Sequence, residues 1–230
     1  MIRLFLRGLV ATSTLCPMAV RAEEAAPPLA VAFNAAIVSD YHFRGISLSN
    51  RHPAVQGGVD LSLRSGFFVG TWASSIADYG GSDVELDLYG GYGGSLAGVD
   101  YTVSVLGYIY PGGRDVDYVE LQSTAAKTVG PVTTTLTLAY TPDQWNTTRD
   151  NLYLGVGADV AIGETPLTAS FGIGRENGAY DEKWDWSAGL SWKLDVLEIS
   201  GSYVDSNYGG PLEEGRNGGS AVVLSVKASF

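Results

Sequence analysis

Residues 149–162 read Arg149-Asp150-Asn151-Leu152-Tyr153-Leu154-Gly155-Val156-Gly157-Ala158-Asp159-Val160-Ala161-Ile162. Leu152, Leu154, Val156, Ala158, Val160 and Ile162 share one parity. Asn151, Tyr153, Gly155, Gly157, Asp159 and Ala161 share the other. A strand sends successive side chains to opposite faces, so this is an extended ribbon with one apolar and one polar or small-residue face. The same period recurs along the chain. Val99, Tyr101, Val103, Val105 and Ile109 oppose Asp100, Thr102, Ser104 and Tyr108. Val84, Leu86 and Leu88 oppose Glu85, Asp87 and Tyr89, and Val132, Thr134, Leu136, Leu138 and Tyr140 oppose Thr133, Thr135, Thr137 and Ala139. No segment sustains a helical stripe over three turns.

Twelve strands are predicted, over about 30–44, 53–64, 67–77, 84–92, 98–110, 117–127, 132–140, 149–162, 167–174, 184–194, 197–205 and 220–230. Pro27, Pro28, Pro53, Pro111, Pro131, Pro142, Pro166 and Pro211 all fall between these strands or at a strand start, where a missing N–H breaks no ladder. The connections alternate. Those after the even strands are short, as at Ser65-Gly66. Those after the odd strands are mostly longer and more polar: Gly45 to His52, Asp78 to Asp83, Pro111 to Val116, Thr141 to Thr148, Arg175 to Lys183 and Ser206 to Gly219. An up-and-down antiparallel transmembrane β-barrel of the outer membrane has this asymmetry, with periplasmic turns on one side and outer loops on the other.

Aromatics support that reading. Phe33, Tyr101, Trp192 and Phe230 fall near predicted periplasmic ends, and Phe43, Tyr140, Trp184, Trp186 and Tyr203 near predicted outer ends. Phe33 and Phe43 are separated by about 25 Å of tilted strand, the height of a barrel's apolar band. These nine are the expected membrane girdles. The competing reading makes them the core of a soluble β-sandwich. The C-terminal run Val222, Leu224, Val226, Ala228 and Phe230 looks like the strand that barrel-assembly machinery recognises in outer-membrane proteins.

Composition narrows the classes. The 230 residues carry a formal net charge of −11, with 17% charged and 11% aromatic residues, which disfavours both disorder and a nucleic-acid partner. Residues 1–22 read as a signal peptide. Arg3 and Arg7 precede an apolar stretch from Gly8 to Val20, and Val20-Arg21-Ala22 fits a cleavage site. Residues 23–29 are then a short periplasmic segment and 30–230 a single barrel domain. Cleavage removes Cys16, the one cysteine, so disulfides, thiolate nucleophiles and cysteine-held metals are not expected. No cofactor or metal motif appears.

The run Ser39-Asp40-Tyr41-His42-Phe43-Arg44-Gly45-Ile46-Ser47 resembles the signature of the TorF-type porin-like family, proteobacterial and also called Gcw_chp. Pro53 to Gly58, Gly66 to Ser74 and Glu85 to Tyr92 follow in the order of that family, so its motifs cover roughly 37–92. His42 stands where the pattern more often has Arg, and the resemblance assigns it no role. The resemblance implies an outer-membrane barrel with a transport role and supplies no substrate.

In such a barrel the polar faces point inward. The pore-lining candidates are Asp40, His42, Arg44, Gln56, Asp60, Arg64, Glu85, Asp87, Tyr89, Asp100, Tyr108, Glu120, Arg149, Tyr153 and Asp159. Acids outnumber arginines among them, which favours cations or zwitterionic small polar solutes. The alternatives are a filled, non-conducting barrel that stiffens the envelope or binds a partner through its loops, and a barrel enzyme using His42 at the outer rim. Carboxylates and aromatics of the outer loops (Asp78, Tyr79, Asp83, Asp115, Trp145, Tyr180, Asp181, Glu182, Tyr208, Glu213, Glu214) read as a solvated rim or a weak divalent-cation site. Alternation places Ser39 on the face opposite Asp40 and His42, which argues against a serine triad. The partners expected are outer-membrane lipid, the assembly machinery and small polar solutes. The oligomeric state is left open.

Overall fold

A computed structural model describes residues 28–145, 149–178, 182–208 and 217–230. The expected signal peptide, residues 23–27 of the following segment, residues 146–148 and the rim residues Tyr180, Asp181, Glu213 and Glu214 lie outside them.

The strands are β1 (Leu29–Val38), β2 (His42–Phe43), β3 (Ile46–Ser47), β4 (Ala54–Leu63), β5 (Phe67–Tyr79), β6 (Ser82–Leu96), β7 (Val99–Ile109), β8 (Tyr118–Val129), β9 (Val132–Thr141), β10 (Asn151–Ala161), β11 (Leu167–Gly178), β12 (Lys183–Leu194), β13 (Leu197–Ser206) and β14 (Ala221–Ser229). Twelve of them form a closed antiparallel barrel in which each strand pairs with its chain neighbours, with β1 lying between β4 and β14. Closure is completed where Phe33 and Phe230 exchange backbone hydrogen bonds of 3.0 and 2.9 Å. A closed barrel leaves no unpaired edge, the condition for placing β-structure in lipid.

The pleat separates two environments. On β10, Leu152, Leu154 and Val156 are 45%, 48% and 45% exposed on the outside, whereas Asn151 and Tyr153 are 1% and 7% exposed inside. Carboxylates, hydroxyls and tyrosines therefore occupy the interior and aliphatic side chains the exterior, the inverse of a water-soluble protein. Phe33, Tyr140, Trp184, Trp186, Trp192, Tyr203 and Phe230 are outward and exposed. Tyr101, also outward by parity, is half-buried beside Tyr92.

Three expectations are corrected. The first strand does not run to residue 44. It leaves the wall after Val38, and residues 39–53 turn into the barrel carrying the two-residue strands β2 and β3. Phe43 is consequently no girdle residue: its ring lies 5.9 Å from that of inward-facing Tyr108. The connection expected over Asp78 to Asp83 shrinks to Gly80-Gly81, because β5 and β6 pair out to Tyr79 and Ser82, with a register irregularity after Ser75. β11 and β12 likewise continue into the stretch expected to be a loop over Arg175 to Lys183.

Candidate functional site

The inward segment is a β-hairpin. His42 pairs with Ser47 and Phe43 with Ile46, leaving Arg44-Gly45 as its two-residue turn. Both turn residues have positive φ, 47° and 79°, as the type I′ hairpin turn demands. The segment is tied to β5, β14 and the connection before β14. Ser39 N–H donates to Leu224 O at 2.8 Å, Ser47 N–H to Asn217 O at 2.9 Å, and Ala77 N–H to Leu48 O at 2.8 Å.

The tip crosses to strands well round the barrel on both sides of its root. Arg44 Nη2 donates to Glu120 Oε1 and Oε2 on β8 at 2.8 and 2.9 Å, and Nη1 to Glu176 Oε1 on β11 at 3.0 Å. Its guanidinium lies 4.5 Å from the Phe43 ring centroid and 4.3 Å from that of Tyr153 on β10. Behind it, Lys183 Nζ is 2.7 Å from Glu176 Oε2, and Asn151 Nδ2 donates to Glu176 Oε1 at 2.8 Å. Thr141 Oγ1 donates to Glu120 Oε2 at 3.2 Å. Arg44, Glu120, Glu176, Lys183, Asn151, Thr141 and Tyr153 are all buried, so each charge is stabilised by direct partners rather than by water.

A second group holds the hairpin's own shape. Asp40 Oδ2 is 2.7 Å from His42 Nε2, while Asp40 Oδ1 accepts from Ser47 Oγ at 2.6 Å and lies 3.0 Å from Ser49 Oγ. Burial alone would raise the Asp40 carboxyl's pKa, but His42, Ser47 and Ser49 outweigh it and hold the group below its ordinary range. The order of contacts disfavours nucleophilic catalysis. The serines bond the carboxylate rather than the imidazole, so His42 is not placed to take a serine proton, and Ser39 Oγ instead accepts from Leu224 N–H. His42 is 2% exposed and does not sit at an open rim.

A third group continues the polar layer. Glu85 accepts from Tyr41 at 2.6 Å and Tyr110 at 2.7 Å. Asp87 is buried, and its Oδ1 has no hydrogen-bond partner among the described residues. Tyr89 donates to Asp60. Midway along the strands the inner wall carries short side chains, including Gly58, Gly70, Ser104 and Ser202, and nearer the chain termini Lys193, Glu198, Lys227 and Asp159 also face inward. The interior is therefore crowded by the hairpin at one end and holds a second, mixed-charge set of side chains toward the other.

The sequence-predicted candidates divide accordingly. Asp40, His42, Arg44, Glu85, Asp87, Tyr89, Tyr108, Glu120 and Tyr153 are buried within the barrel, the first three on the hairpin rather than on the wall. Gln56, Asp60 and Asp159 are half-buried, Asp159 accepting from Ser170 Oγ at 2.6 Å. Arg64, Asp100 and Arg149 are exposed at strand ends or connections, Arg64 in the β4–β5 turn and Arg149 just before β10. Glu176 and Lys183 were missed because the stretch from Arg175 to Lys183 read as loop, and Asp185, inside the strand expected over 184–194, is absent from the inward set although it opposes Trp184 and Trp186. The signal was available: Lys183-Trp184-Asp185-Trp186 alternates, and Phe171, Ile173 and Arg175 continue one parity past Gly174.

Among solved structures, the chain is similar to the KdgM porin (TM-score 0.60, 8% identity, 87% of this chain and 98% of that one). It is also similar to the NanC porin (TM-score 0.56, 11% identity, 87% and 99%) and to an outer membrane channel from Pseudomonas putida F1 (TM-score 0.55, 11% identity, 89% and 96%). At such identities the likeness establishes the shared barrel fold. No curated protein matches. A family model described as "Bacterial protein of unknown function (Gcw_chp)" matches residues 22–230, the whole barrel with its inward hairpin, and the chain belongs to that family.

Proposed function

We propose that the protein is a porin-like channel of the outer membrane that passes small polar solutes and favours cations. The observation that carries this reading is a closed barrel with a lipid-compatible exterior whose interior is partitioned by a charged hairpin. In a passage of this design the hairpin sets the narrowest section, and the carboxylates set the sign of the solute. Glu85, Asp87, Glu120, Glu176, Asp185 and Asp40 share that region with Arg44 and Lys183, so carboxyl groups outnumber basic side chains there. A related KdgM structure is described in complex with oligogalacturonate, an acidic oligosaccharide. The acid-rich interior here argues against carrying that ligand class over.

Export through the N-terminal segment, insertion by assembly machinery acting on Val222 to Phe230, and contact of the two aromatic belts with the interfacial zone belong to the same reading. Purified protein in planar bilayers is expected to show small unitary currents, with a reversal potential in a KCl gradient that reports cation preference. Clear anion preference removes the selectivity claim. Absence of any current favours the second reading, a barrel plugged by its hairpin, which the buried seat of Arg44 specifically supports.

A further inference from the structure

The Arg44 side chain is supplied by the hairpin, but the surfaces that hold it belong to the wall. Glu120 on β8, Tyr153 on β10 and Glu176 on β11 meet one planar cation. One carboxylate binds Nη2, the other binds Nη1, and the tyrosine ring covers a face at 4.3 Å. This is the arrangement by which proteins recognise guanidinium groups: edge donors to carboxylates and a π-face beneath the plane. Beside the hairpin tip lies a further acceptor. Asp185 is 6% exposed, its Oδ1 accepts from Tyr153 at 3.3 Å, and its Oδ2 has no hydrogen-bond partner among the described residues. An ideal Cβ on Gly45 would stand 2.8 Å from Asp185 Cβ, which places this carboxylate against the tip. The wall thus offers more acceptor capacity than Arg44 uses.

Other cation classes fit less well. An ammonium is already seated, since Lys183 takes the second oxygen of Glu176. Among the described residues, no group of three or more carboxylate, histidine or cysteine side chains is spaced to hold a metal ion.

We propose that the wall cage of Glu120, Tyr153, Glu176 and Asp185 is a binding site for solutes bearing a guanidinium or amidinium group, with Arg44 as its tethered resident occupant. The inference deepens the channel reading, on which it rests for a route by which such solutes reach the cage. It makes the hairpin a competitor: a free guanidinium gains the site when Arg44 leaves it. A tethered ligand acts at an effective concentration in the millimolar range, so the native chain is expected to bind free ligand weakly.

The test uses full-length protein purified in detergent, as wild type, Arg44→Ala and Arg44→Gln, with methylguanidinium as the probe and methylammonium and sodium as controls. Titration calorimetry is expected to show the two variants binding methylguanidinium at least about tenfold more tightly than wild type, because the tethered competitor is gone. The probe is also expected to raise the thermal midpoint of the variants, with neither control ion doing so. Equal response to methylguanidinium and methylammonium overturns the proposal, as does equal binding by all three proteins. Should a variant fold poorly, methylguanidinium present during refolding is expected to restore its heat-modifiable mobility on gels, and failure to do so counts against the cage. These readouts need no current. A protein that conducts but does not discriminate guanidinium loses only this inference, and one that binds the probe but never conducts loses only the channel.

Discussion

Replacing Gly45 with alanine puts the hairpin's seat to the test without touching a charge. Gly45 has φ of +79°, and an L-residue there costs about 1–2 kcal/mol from the clash of its Cβ with its own backbone. The new methyl would also stand 2.8 Å from Asp185 Cβ, 2.8 Å from Ser206 Cβ and 2.9 Å from Asp205 O. Two of these contacts are with atoms fixed to strand backbone and the third is a backbone carbonyl, so relief requires the tip to withdraw. Overpacking of this kind costs about 1–3 kcal/mol. Together about 2–5 kcal/mol is charged against the seated tip, which at about 1.4 kcal/mol per tenfold reduces the seated population relative to the withdrawn one by roughly 30-fold to several thousand-fold. The barrel ladder does not include residues 39–53, so the wall is expected to persist. Single-channel recording should show larger or longer openings for Gly45→Ala. Hydrogen exchange should show faster exchange of the Ser47 amide, which in the native chain donates to Asn217 O at 2.9 Å, with the amides that bond strand to strand unchanged. Native conductance together with native protection of Ser47 would refute the claim that the tip is wedged against β12 and β13 and confines the passage.

Two further outcomes follow from the same geometry. Val156→Arg, an outward substitution midway along β10 between Leu136 and Ile173, is expected to lower stability by about 2–4 kcal/mol when unfolding by urea is measured from lipid vesicles. Thr135→Arg faces the interior opposite Gly157 and should cost distinctly less, so equal losses would mean that the outside does not meet lipid. Asp159→Asn removes one half-buried carboxylate of the inner wall while keeping its shape, and is expected to move the reversal potential in a KCl gradient toward zero. An unchanged potential would place Asp159 off the ion path.

Much of the wall could be read from the chain alone. The period-2 faces, the prolines confined to strand ends and the short-turn side are local properties, because a strand's pleat fixes which residues share a face wherever the strand lies. Closure of twelve strands and the outward belts at Tyr140, Trp184, Trp186 and Trp192 follow from that pattern. Residues 39–53 are different. Asp40, His42 and Arg44 keep the inward parity of β1, so alternation extends the strand through them, although Arg44-Gly45 is in fact a turn. What draws the segment inward is chemistry held far away in sequence: Glu120 is 76 residues from Arg44, and Glu176 is 132. A closed barrel creates an interior that is neither lipid nor bulk water, where a buried cation is stable only against particular carboxylates. Local patterning carries the two faces of a ribbon. It carries no information about which ribbon stands opposite across the lumen, and that was decided only once the barrel had closed.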